Sequence, residues 1–398
     1  MAGSEKVLIV GGGIGGLAAA LALSRLGVAS TLLEQSATIG EIGAGIQLGP
    51  NAFAAMDALG AGANARARAV FTERLVLMDA VDGSEVAAFP VGAAFRARFG
   101  NPYAVIHRAD IHEAIRDAAA SSDLIEFVTS ARVEAVALEG DGVRARLASG
   151  EEYRAGALIG CDGVKSVVRD MLIGDAARVS GHVVYRAVVS KEDMPADLRW
   201  NAPAVWAGPN CHLVHYPLRG GSQYNIVVTF HSREAETWGV RDGSKEEVLS
   251  YFSGILERPR RLLDTPKSWK RWSTADREPS EHWGEGRATL LGDAAHPMLQ
   301  YLAQGACMAL EDAVTLGAAL KAADLDFAAA FRRYEAARIP RTARVVLSAR
   351  EMGRIYHAKG VERLVRNELW RDRPLERYYD ALEWLYGWRA ETCLGTSA

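Results

Sequence analysis

The sequence predicts an α/β fold that begins with a dinucleotide-binding unit of the Rossmann type. An apolar run, Val7–Val10, is typical of a short strand, and the glycine-rich segment Gly11–Gly16 follows it directly. Leu17–Leu23 then has the composition of a helix. Strand, glycine turn and helix in this order open a βαβ unit that holds a nucleotide. We therefore expect the N-terminal part of the chain to bind a dinucleotide.

The glycines of this segment and the acid beyond it have separate tasks. Gly11 makes the tight turn, Gly13 lets the backbone approach a pyrophosphate, and Gly16 allows close contact between helix and strand. A second strand over residues 28–33 leads to Glu34, at about the 20-residue distance where an acid meets the ribose hydroxyls. An acid there favours an unphosphorylated ribose. The pattern suits FAD or NAD and does not choose between them.

The composition is that of an ordinary globular protein. The chain has 398 residues, of which 49% are hydrophobic and 24% charged, so disordered, collagen-like and disulfide-scaffold proteins are excluded. A formal net charge of −3 gives no general attraction to nucleic acid or anionic lipid. The four cysteines lie far apart, so no local spacing offers a metal site or a redox dithiol. Without a signal-peptide pattern or an apolar run of about 20 residues, we expect a cytoplasmic protein with no membrane span.

Two later segments repeat the strand-and-turn pattern with an acid at the turn. Residues 157–169 contain a strand, Asp162 and then a helix, while residues 288–297 contain a strand that ends at Gly292 and Asp293. A helix rich in small residues starts near Gly305. No second strand–glycine–helix unit is present, which disfavours reductases with a separate nicotinamide domain. Each segment alone is consistent with an ordinary turn.

Together and in this order, the three segments resemble the group A flavoprotein aromatic hydroxylases, whose hallmarks are an N-terminal fingerprint, a central Asp-Gly motif and a later Gly-Asp motif. The resemblance covers most of residues 5 to 345. The loop Gly43–Asn51 is similar to the loop beside the isoalloxazine in that family, and residues 107–111 are similar to the segment that supplies a flavin-contacting arginine. The resemblance implies an FAD-dependent monooxygenase that uses NADH, or else NADPH, and O2, with oxygen transfer from a flavin C4a-hydroperoxide.

The resemblance also implies which residues hold the cofactor. The residues assigned to FAD are Gly11, Gly13, Gly16, Glu34, Gln47, Arg108, Asp162, Asp293 and Gly305. Asp162 would also serve transient access of NAD(P)H, and Asp293 would hold the ribityl and pyrophosphate region. The helix from Gly305 would direct its N-terminal amides at the flavin pyrimidine ring and stabilise negative charge there. No metal is implied.

Two stretches bear on the substrate. In the predicted strand at residues 211–218, alternation places His212 and Tyr216 on one face, where both can line a pocket. Gln300 lies in the stretch after the Gly-Asp strand. Within the family these stretches are most similar to 3-hydroxybenzoate 6-hydroxylases, which implies that His212 and Gln300 assist deprotonation of a phenol. A neutral histidine suits this task because it accepts a proton at working pH.

Several features of the pocket stay open at this level. Tyr216 and Tyr103 are expected to pack on the aromatic ring or to bond its carboxylate, and core packing is the alternative for both. No carboxylate partner is identified, because Arg219 precedes two glycines and fits a solvated turn. The expected reaction is the conversion of a small phenolic acid, 3-hydroxybenzoate, to gentisate. Its competitors are a salicylate or 6-hydroxynicotinate hydroxylase, a flavin carrier without chemistry and a nicotinamide dehydrogenase.

The expected architecture is a Rossmann-like FAD-binding domain interleaved with a mixed β-sheet substrate domain and completed by C-terminal helices. The predicted boundaries are 1–70, 105–175 and 282–345 for the FAD-binding domain, 71–104 and 176–281 for the substrate domain, and 346–398 for the C-terminal helical segment. That last segment mixes arginines with aromatic side chains. We expect it to cover the substrate domain or to form a homodimer contact rather than to bind nucleic acid.

Overall fold

The structure is a computed structural model that describes residues 6–40 and 44–395; Gly43 of the predicted isoalloxazine loop lies outside the described residues. The described strands form four sheets. In chain order the strands are β1 (Val7–Val10), β2 (Ser30–Leu33), β3 (Gly45–Leu48), β4 (Val70–Phe71), β5 (Arg74–Asp79), β6 (Glu85–Pro90), β7 (Ala104–His107), β8 (Ile125–Val128), β9 (Val133–Glu139), β10 (Gly142–Leu147), β11 (Glu152–Ala155), β12 (Ala157–Gly160), β13 (Arg178–Ser190), β14 (Ala204–Gly208), β15 (Cys211–Leu218), β16 (Gln223–His231), β17 (Gly239–Gly243), β18 (Trp269–Asp276) and β19 (Ala288–Leu290).

Helices connect the strands and form the C-terminal part of the chain. In chain order the α-helices are α1 (Ile14–Ser24), α2 (Pro50–Leu59), α3 (Gly62–Arg68), α4 (Ala93–Phe99), α5 (Arg108–Ala120), α6 (Val167–Leu172), α7 (Lys245–Tyr251), α8 (Glu257–Asp264), α9 (Gly305–Ala322), α10 (Phe327–Tyr356), α11 (Gly360–Trp370) and α12 (Leu375–Tyr386).

The first sheet is fully parallel and has the strand order β8-β2-β1-β12-β19. This is the order of a doubly wound nucleotide-binding sheet, in which ligands bind beyond the carboxyl ends of the strands where the order reverses. Four of the predicted residues follow such strand ends within three positions, namely Gly11 after β1, Glu34 after β2, Asp162 after β12 and Asp293 after β19. Motifs that are distant in sequence therefore meet at one edge.

Two glycines at this edge are fixed by steric contacts. Gly11 has a φ of +105°, which L side chains rarely adopt, and a Cβ there would lie 2.4 Å from the carbonyl oxygen of Cys161. A Cβ at Gly16 would lie 1.9 Å from the carbonyl oxygen of Gly11. The absence of a side chain at Gly16 therefore allows α1 to pack closely against the turn that follows β1. The absence of a side chain at Gly11 also lets the backbone at Cys161, beside the central Asp-Gly motif, pack against the glycine turn after β1.

The second large unit is an eight-stranded mixed sheet with the order β17-β18-β13-β16-β15-β14-β5-β6. Its neighbouring strands are antiparallel except for the parallel pair β5 and β14. These strands come from the two stretches that the sequence assigns to the substrate domain. A small sheet of β3, β7 and β4 also lies close to it, since strands β7 and β15 are in contact.

The predicted C-terminal segment begins in the middle of a long helix. Helix α10 is continuous over 30 residues and crosses the predicted boundary at residues 345 and 346, so the last segment starts as part of this helix.

On α11, apolar side chains at helical spacing are exposed to solvent: Val361, Leu364, Val365 and Leu369. Across residues 6–40 and 44–395, none of the helices combines the length and the apolar character needed to cross a membrane.

Candidate active site

One cavity of about 850 Å³ extends from the edge of the parallel sheet to one face of the mixed sheet. Its volume lies within the range of about 300–1,000 Å³ usual for ligand pockets. Of the predicted site residues, Gly16 lies behind the wall and the others line the cavity: Gly11, Gly13, Glu34, Gln47, Tyr103, Arg108, Asp162, His212, Tyr216, Asp293, Gln300 and Gly305. The structure thus brings the predicted cofactor and substrate residues to one continuous space.

Two helices begin at this cavity without a side-chain cap. Gly13 precedes α1 and Gln304 precedes α9; neither helix start has a capping side chain or an acidic residue in its first turn. The first amides of a helix have no partner within the helix and carry partial positive charge, so they favour anions. Uncapped helix starts at both α1 and α9 fit the pyrophosphate and the electron-rich ring of FAD. The residues present therefore fit this cofactor.

The acid at the end of β2 is already ordered against the glycine turn. One carboxylate oxygen of Glu34 accepts a hydrogen bond from the amide of Gly12 at 2.7 Å, and the other accepts one from the amide of Ser36 at 2.8 Å. These bonds hold the carboxylate beside the cavity, where the ribose of a dinucleotide would lie. Its role toward FAD stays a prediction.

The central acid has a structural task that the sequence did not reveal. Asp162 accepts hydrogen bonds from the Ser166 hydroxyl at 2.5 Å and from the Val167 amide at 2.8 Å, so it organises the start of α6. Burial raises its pKa, which these hydrogen bonds oppose. Asp293, in contrast, is exposed to solvent at the cavity edge, and a Cβ built on Gly305 would lie 3.7 Å from its Oδ1.

Arg108 lies at the start of α5, and its side chain lines the cavity between the two sheets. Its amide donates a hydrogen bond to the carbonyl of Ala44 at 3.1 Å, which ties α5 to the segment leading into β3. The predicted contact with the flavin side of the pyrophosphate stays a prediction.

His212 lies on the face of β15 that the alternation predicts. His212, Val214 and Tyr216 all line the cavity, and the His212 side chain is buried. Its Nδ1 lies 2.8 Å from Nε2 of His357, a residue that no sequence pattern indicates. Burial lowers the pKa of His212 to about 3, and the neighbouring His182 lowers it further. His212 is therefore neutral and has Nε2 without a partner in the described part of the chain.

Gln300 and His212 are brought together by a shared neighbour. The Nε2 of Gln300 donates a hydrogen bond to the hydroxyl of Thr229 at 3.3 Å. Thr229 is the cross-strand partner of His212, because β15 and β16 pair in that register. The side chains of Gln300 and His212 thus border the same corner of the cavity, as the sequence predicts.

The two predicted tyrosines line the cavity and are both buried. The Tyr103 hydroxyl donates a hydrogen bond to Oε1 of Gln47 at 2.6 Å. Gly45 makes room for Tyr216, since a Cβ on Gly45 would lie 2.5 Å from the Tyr216 ring. Burial raises the pKa of both phenols, so they remain protonated at neutral pH.

A cation that the sequence analysis missed also reaches the cavity. Arg186 on β13 is in register with Val227, which pairs in turn with Val214, so all three share one row across the sheet. Arg186 lines the cavity and makes no ion pair or side-chain hydrogen bond within residues 6–40 and 44–395; burial lowers its pKa. Arg219 instead pairs with Asp110 at 2.9 Å on the surface. A lone arginine in the apolar run Val183–Val189 was the available signal.

The start of α9 is held in place by buried charges. Arg338 on α10 pairs with Glu311 and Asp312, each at 2.6 Å, and all three side chains are fully or nearly fully buried. Burial opposes ionisation of Asp312, but His296 and Arg338 outweigh it and lower its pKa to about 2. Asp312 also accepts a bond from the amide of Gly292 at 3.0 Å. This network links α9 and α10 to the Gly-Asp segment.

Comparison with known proteins agrees with this geometry. Residues 4–349 match the family model described as FAD binding domain. The chain is 63% identical to a 3-hydroxybenzoate 6-hydroxylase of Polaromonas naphthalenivorans (strain CJ2), over 98% of this chain and 97% of that protein. It is 62% identical to one of Klebsiella oxytoca, over 99% of both chains. Among solved structures, Klebsiella pneumoniae HpxO complexed with FAD and uric acid has a TM-score of 0.84 at 26% identity, covering 100% of this chain and 99% of that one.

These matches confirm the resemblance and the expected fold. They extend over nearly the whole chain, so the parallel sheet, the mixed sheet and the C-terminal helices all lie within the matched region. The uncapped starts of α1 and α9 at the cavity give the physical reason for cofactor binding in this chain. The chain belongs to the FAD binding domain family of flavoproteins.

Proposed function

We propose that this protein hydroxylates 3-hydroxybenzoate to gentisate, with FAD as cofactor and NADH and O2 as co-substrates. The observation that carries the proposal is the composition of one cavity. Its nucleotide end has two uncapped helix starts, and its other end has a neutral buried histidine and a half-buried arginine. A phenolic acid offers an acidic hydroxyl to the histidine and a carboxylate to the arginine. The names and the high identity of the two bacterial relatives support the same substrate.

FAD, once reduced by the nicotinamide co-substrate, supplies activated oxygen. The chain's part on this side is to hold the cofactor through Glu34, through the amides at the starts of α1 and α9, and through Arg108 at the cavity wall. Buried side chains around the substrate end exclude water, which strengthens electrostatic interactions within the site.

The substrate end orients and deprotonates the ring. Arg186 bonds the carboxylate, because a guanidinium presents donors that match carboxylate geometry. Tyr216, which lines the cavity two positions along β15 from Val214, donates a further hydrogen bond. The phenol hydroxyl lies at His212, whose free Nε2 accepts its proton, and Gln300 bonds the resulting phenolate oxygen. Deprotonation raises electron density para to that oxygen, at the carbon where gentisate has its second hydroxyl.

The direct experiment measures NADH consumption by the FAD-loaded protein with a panel of hydroxybenzoates and 6-hydroxynicotinate, together with chromatography of the products. Gentisate formed from 3-hydroxybenzoate supports the proposal. Catechol from salicylate with no gentisate would assign the chain to a salicylate hydroxylase. A yellow protein whose NADH oxidation no aromatic acid accelerates would be a flavin carrier instead. Product analysis is essential because peroxide formation without hydroxylation also consumes NADH.

We also propose a homodimer. Helix α11 exposes Val361 and Leu369 at 74% and 63%, with Leu364 and Val365 between them on the same face. Such an apolar face is costly in water, and a second copy related by a twofold axis would cover both faces with one contact. Sedimentation velocity should give the dimer mass for the native chain and a monomer for Leu364→Glu. A native monomer at micromolar concentration would refute this assembly.

A further inference from the structure

We infer that His212 and His357 form a proton relay that carries the phenol proton from the cavity toward the half-buried His182 and the exposed His231. The relay rests on the proposed function, because the proton that it moves is that of a phenolic substrate. His357 would act as a relay and positioning residue, since it touches His212 and does not line the cavity.

The four imidazoles form a continuous row from the cavity to solvent. Nδ1 of His212 lies 2.8 Å from Nε2 of His357. The His357 ring centroid is 5.3 Å from that of His182, and the His182 centroid is 5.1 Å from that of His231. His212 lines the cavity, whereas His231 is exposed. The first step of this row is a hydrogen bond, and the next two are ring contacts that lead to the exposed His231.

Secondary structure fixes this row. His182 on β13 and His231 on β16 are direct cross-strand partners. His357 caps the C-terminus of α10, and its carbonyl accepts a hydrogen bond at 3.0 Å from the amide of Asn210, in the turn just before β15. The end of α10 is thereby tied to the strand that carries His212. The short contact between His212 and His357 follows from the packing of helix on sheet.

The contact between His212 and His357 allows the imidazole tautomers that a relay requires. When Nδ1–H of His212 donates to Nε2 of His357, Nε2 of His212 has its lone pair free for the phenol. The O–H bond of the phenol then breaks as an N–H bond forms at Nε2 of His212. The N–H bond at Nδ1 of His212 breaks as its proton bonds to Nε2 of His357. Finally, the proton on Nδ1 of His357 leaves toward His182 and solvent, so atoms and charge balance.

The surroundings favour transfer over storage of the proton. Burial lowers the pKa of His212 to about 3 and that of His182 to about 4, so a buried imidazolium does not persist. Arg178 and His231 lower the pKa of His182 further, while Asp276 opposes them. Tyr301, whose hydroxyl lies 2.6 Å from Nδ1 of His182, and Tyr356 complete the polar surroundings. A base that cannot retain the proton needs a route that removes it.

The test follows the proton directly. The FAD-loaded protein is mixed with 3-hydroxybenzoate in a weakly buffered solution that contains a pH-indicator dye, and stopped-flow absorbance records phenolate formation and proton release. In the native chain both signals should rise together. His357→Gln should slow both by about tenfold or more, in line with the loss of a positioned proton acceptor. The affinity for benzoate, which has no phenol, should stay unchanged and so reports an intact pocket.

Two further variants separate a relay from a structural role. His357→Ala should recover fast proton release when imidazole is added, because His357 lies at the edge of the buried region, 9% exposed. His215→Gln is the matched control: His215 is equally buried on the opposite face of the same strand and packs on Trp200. It should leave proton release at the native rate.

The failures of relay and function are distinguishable. Proton release and gentisate formation at native rates in His357→Gln would overturn the relay and leave the proposed function standing. Equal slowing in His215→Gln, or no recovery with imidazole, would assign His357 a purely structural role and also overturn the relay. A native chain that forms no gentisate would overturn the proposed function, and the relay with it.

Discussion

At the scale of single residues, the proposed substrate end of the site rests on a buried histidine and a half-buried arginine with opposite tasks. His212 is neutral because burial lowers its pKa to about 3, so it is ready to accept a proton. Arg186 is half-buried and has no ion pair in the described part of the chain, so a ligand that supplies a negative charge would stabilise it. A phenolic acid satisfies both groups at once.

Replacement of the cation should weaken substrate binding. We expect Arg186→Gln to lower kcat/KM for 3-hydroxybenzoate by about 10- to 150-fold, mainly through KM, because a hydrogen bond to a charged group contributes about 1.5–3 kcal/mol. Steady-state NADH oxidation coupled to gentisate formation measures this. The control is Arg219→Gln, which removes a surface arginine paired with Asp110. An unchanged KM in Arg186→Gln would remove this residue from carboxylate binding.

Replacement of the base should affect chemistry and spare the cofactor. His212→Ala should slow hydroxylation by about 10²–10⁴-fold, the usual contribution of a positioned general base. FAD affinity, followed by flavin fluorescence, should change little because the nucleotide end of the cavity lies on the other sheet. Native turnover in this variant across neutral pH would exclude His212 as the base.

The residues that sequence reasoning found and missed differ in a physical way. His212 and Tyr216 could be predicted because strand alternation is local. Arg186 reaches the same cavity through the register of β13, β16 and β15, which a single sequence does not reveal. His357 reaches His212 through the packing of the end of α10 on β15, a contact across 145 positions of the chain.

At the scale of elements, the cofactor end depends on the meeting of strand ends with helix starts. Gly16 is the tightest of these contacts, since a Cβ there would lie 1.9 Å from a carbonyl oxygen. Gly16→Ala must displace α1 from β1, at a cost of about 1–3 kcal/mol or more. We expect this variant to lose bound FAD, as measured by its visible absorbance. Gly239→Ala, where a Cβ meets nothing within 4 Å, should stay yellow, and a yellow Gly16→Ala protein would contradict the argument.

The buried ion pairs between α9 and α10 also stabilise the packing of these two helices. Removal of Arg338 leaves Glu311 and Asp312 with fewer partners in a dry environment. Breaking a buried pair in this way typically costs about 3–5 kcal/mol. We expect Arg338→Met to lower the free energy of unfolding by that amount in urea titrations. Arg332→Met, on an exposed position of the same helix, should change it by less than about 0.5 kcal/mol.

At the scale of the whole molecule, buried neutral histidines link stability to pH. His182, His212 and His215 have pKa values of about 4, 3 and 3, because burial disfavours their charged forms. Unfolded histidines titrate near about 6.5, so only the unfolded chain binds these protons as the pH falls below that value. Above it the two states carry equal charge on these groups. Their destabilising effect therefore develops between about pH 6.5 and about pH 4 for His182, and down to about pH 3 for His212 and His215.

This linkage gives a measurable slope. The free energy of unfolding should fall by about 1.4 kcal/mol per histidine for each pH unit below about 6. Urea titrations at pH 7, 6 and 5 measure it. His215→Leu removes one titrating group away from the cavity and should reduce the slope by about 1.4 kcal/mol per pH unit. An identical slope in this variant would contradict the assignment of His215 as a buried neutral group.

Most of the whole-chain architecture could be predicted from the sequence. The fingerprint, the Asp-Gly and the Gly-Asp segments each follow a parallel strand, so their common location follows from one rule about carboxyl ends. The boundary at residue 345 could not be placed, because α10 continues through it with no glycine or capping residue to end it. The task of Asp162 at the start of α6 also depends on backbone geometry that composition does not encode.

Under the proposed function, this cavity directs one oxygen atom to the carbon para to the phenolate of 3-hydroxybenzoate. The most direct measurement supplies the FAD-loaded protein with NADH, 3-hydroxybenzoate and ¹⁸O-labelled O2, and identifies the product by chromatography and mass spectrometry. We expect gentisate with one labelled oxygen, in proportion to the NADH consumed. A product other than gentisate, unlabelled gentisate, or consumption of NADH with peroxide as the sole product would contradict it.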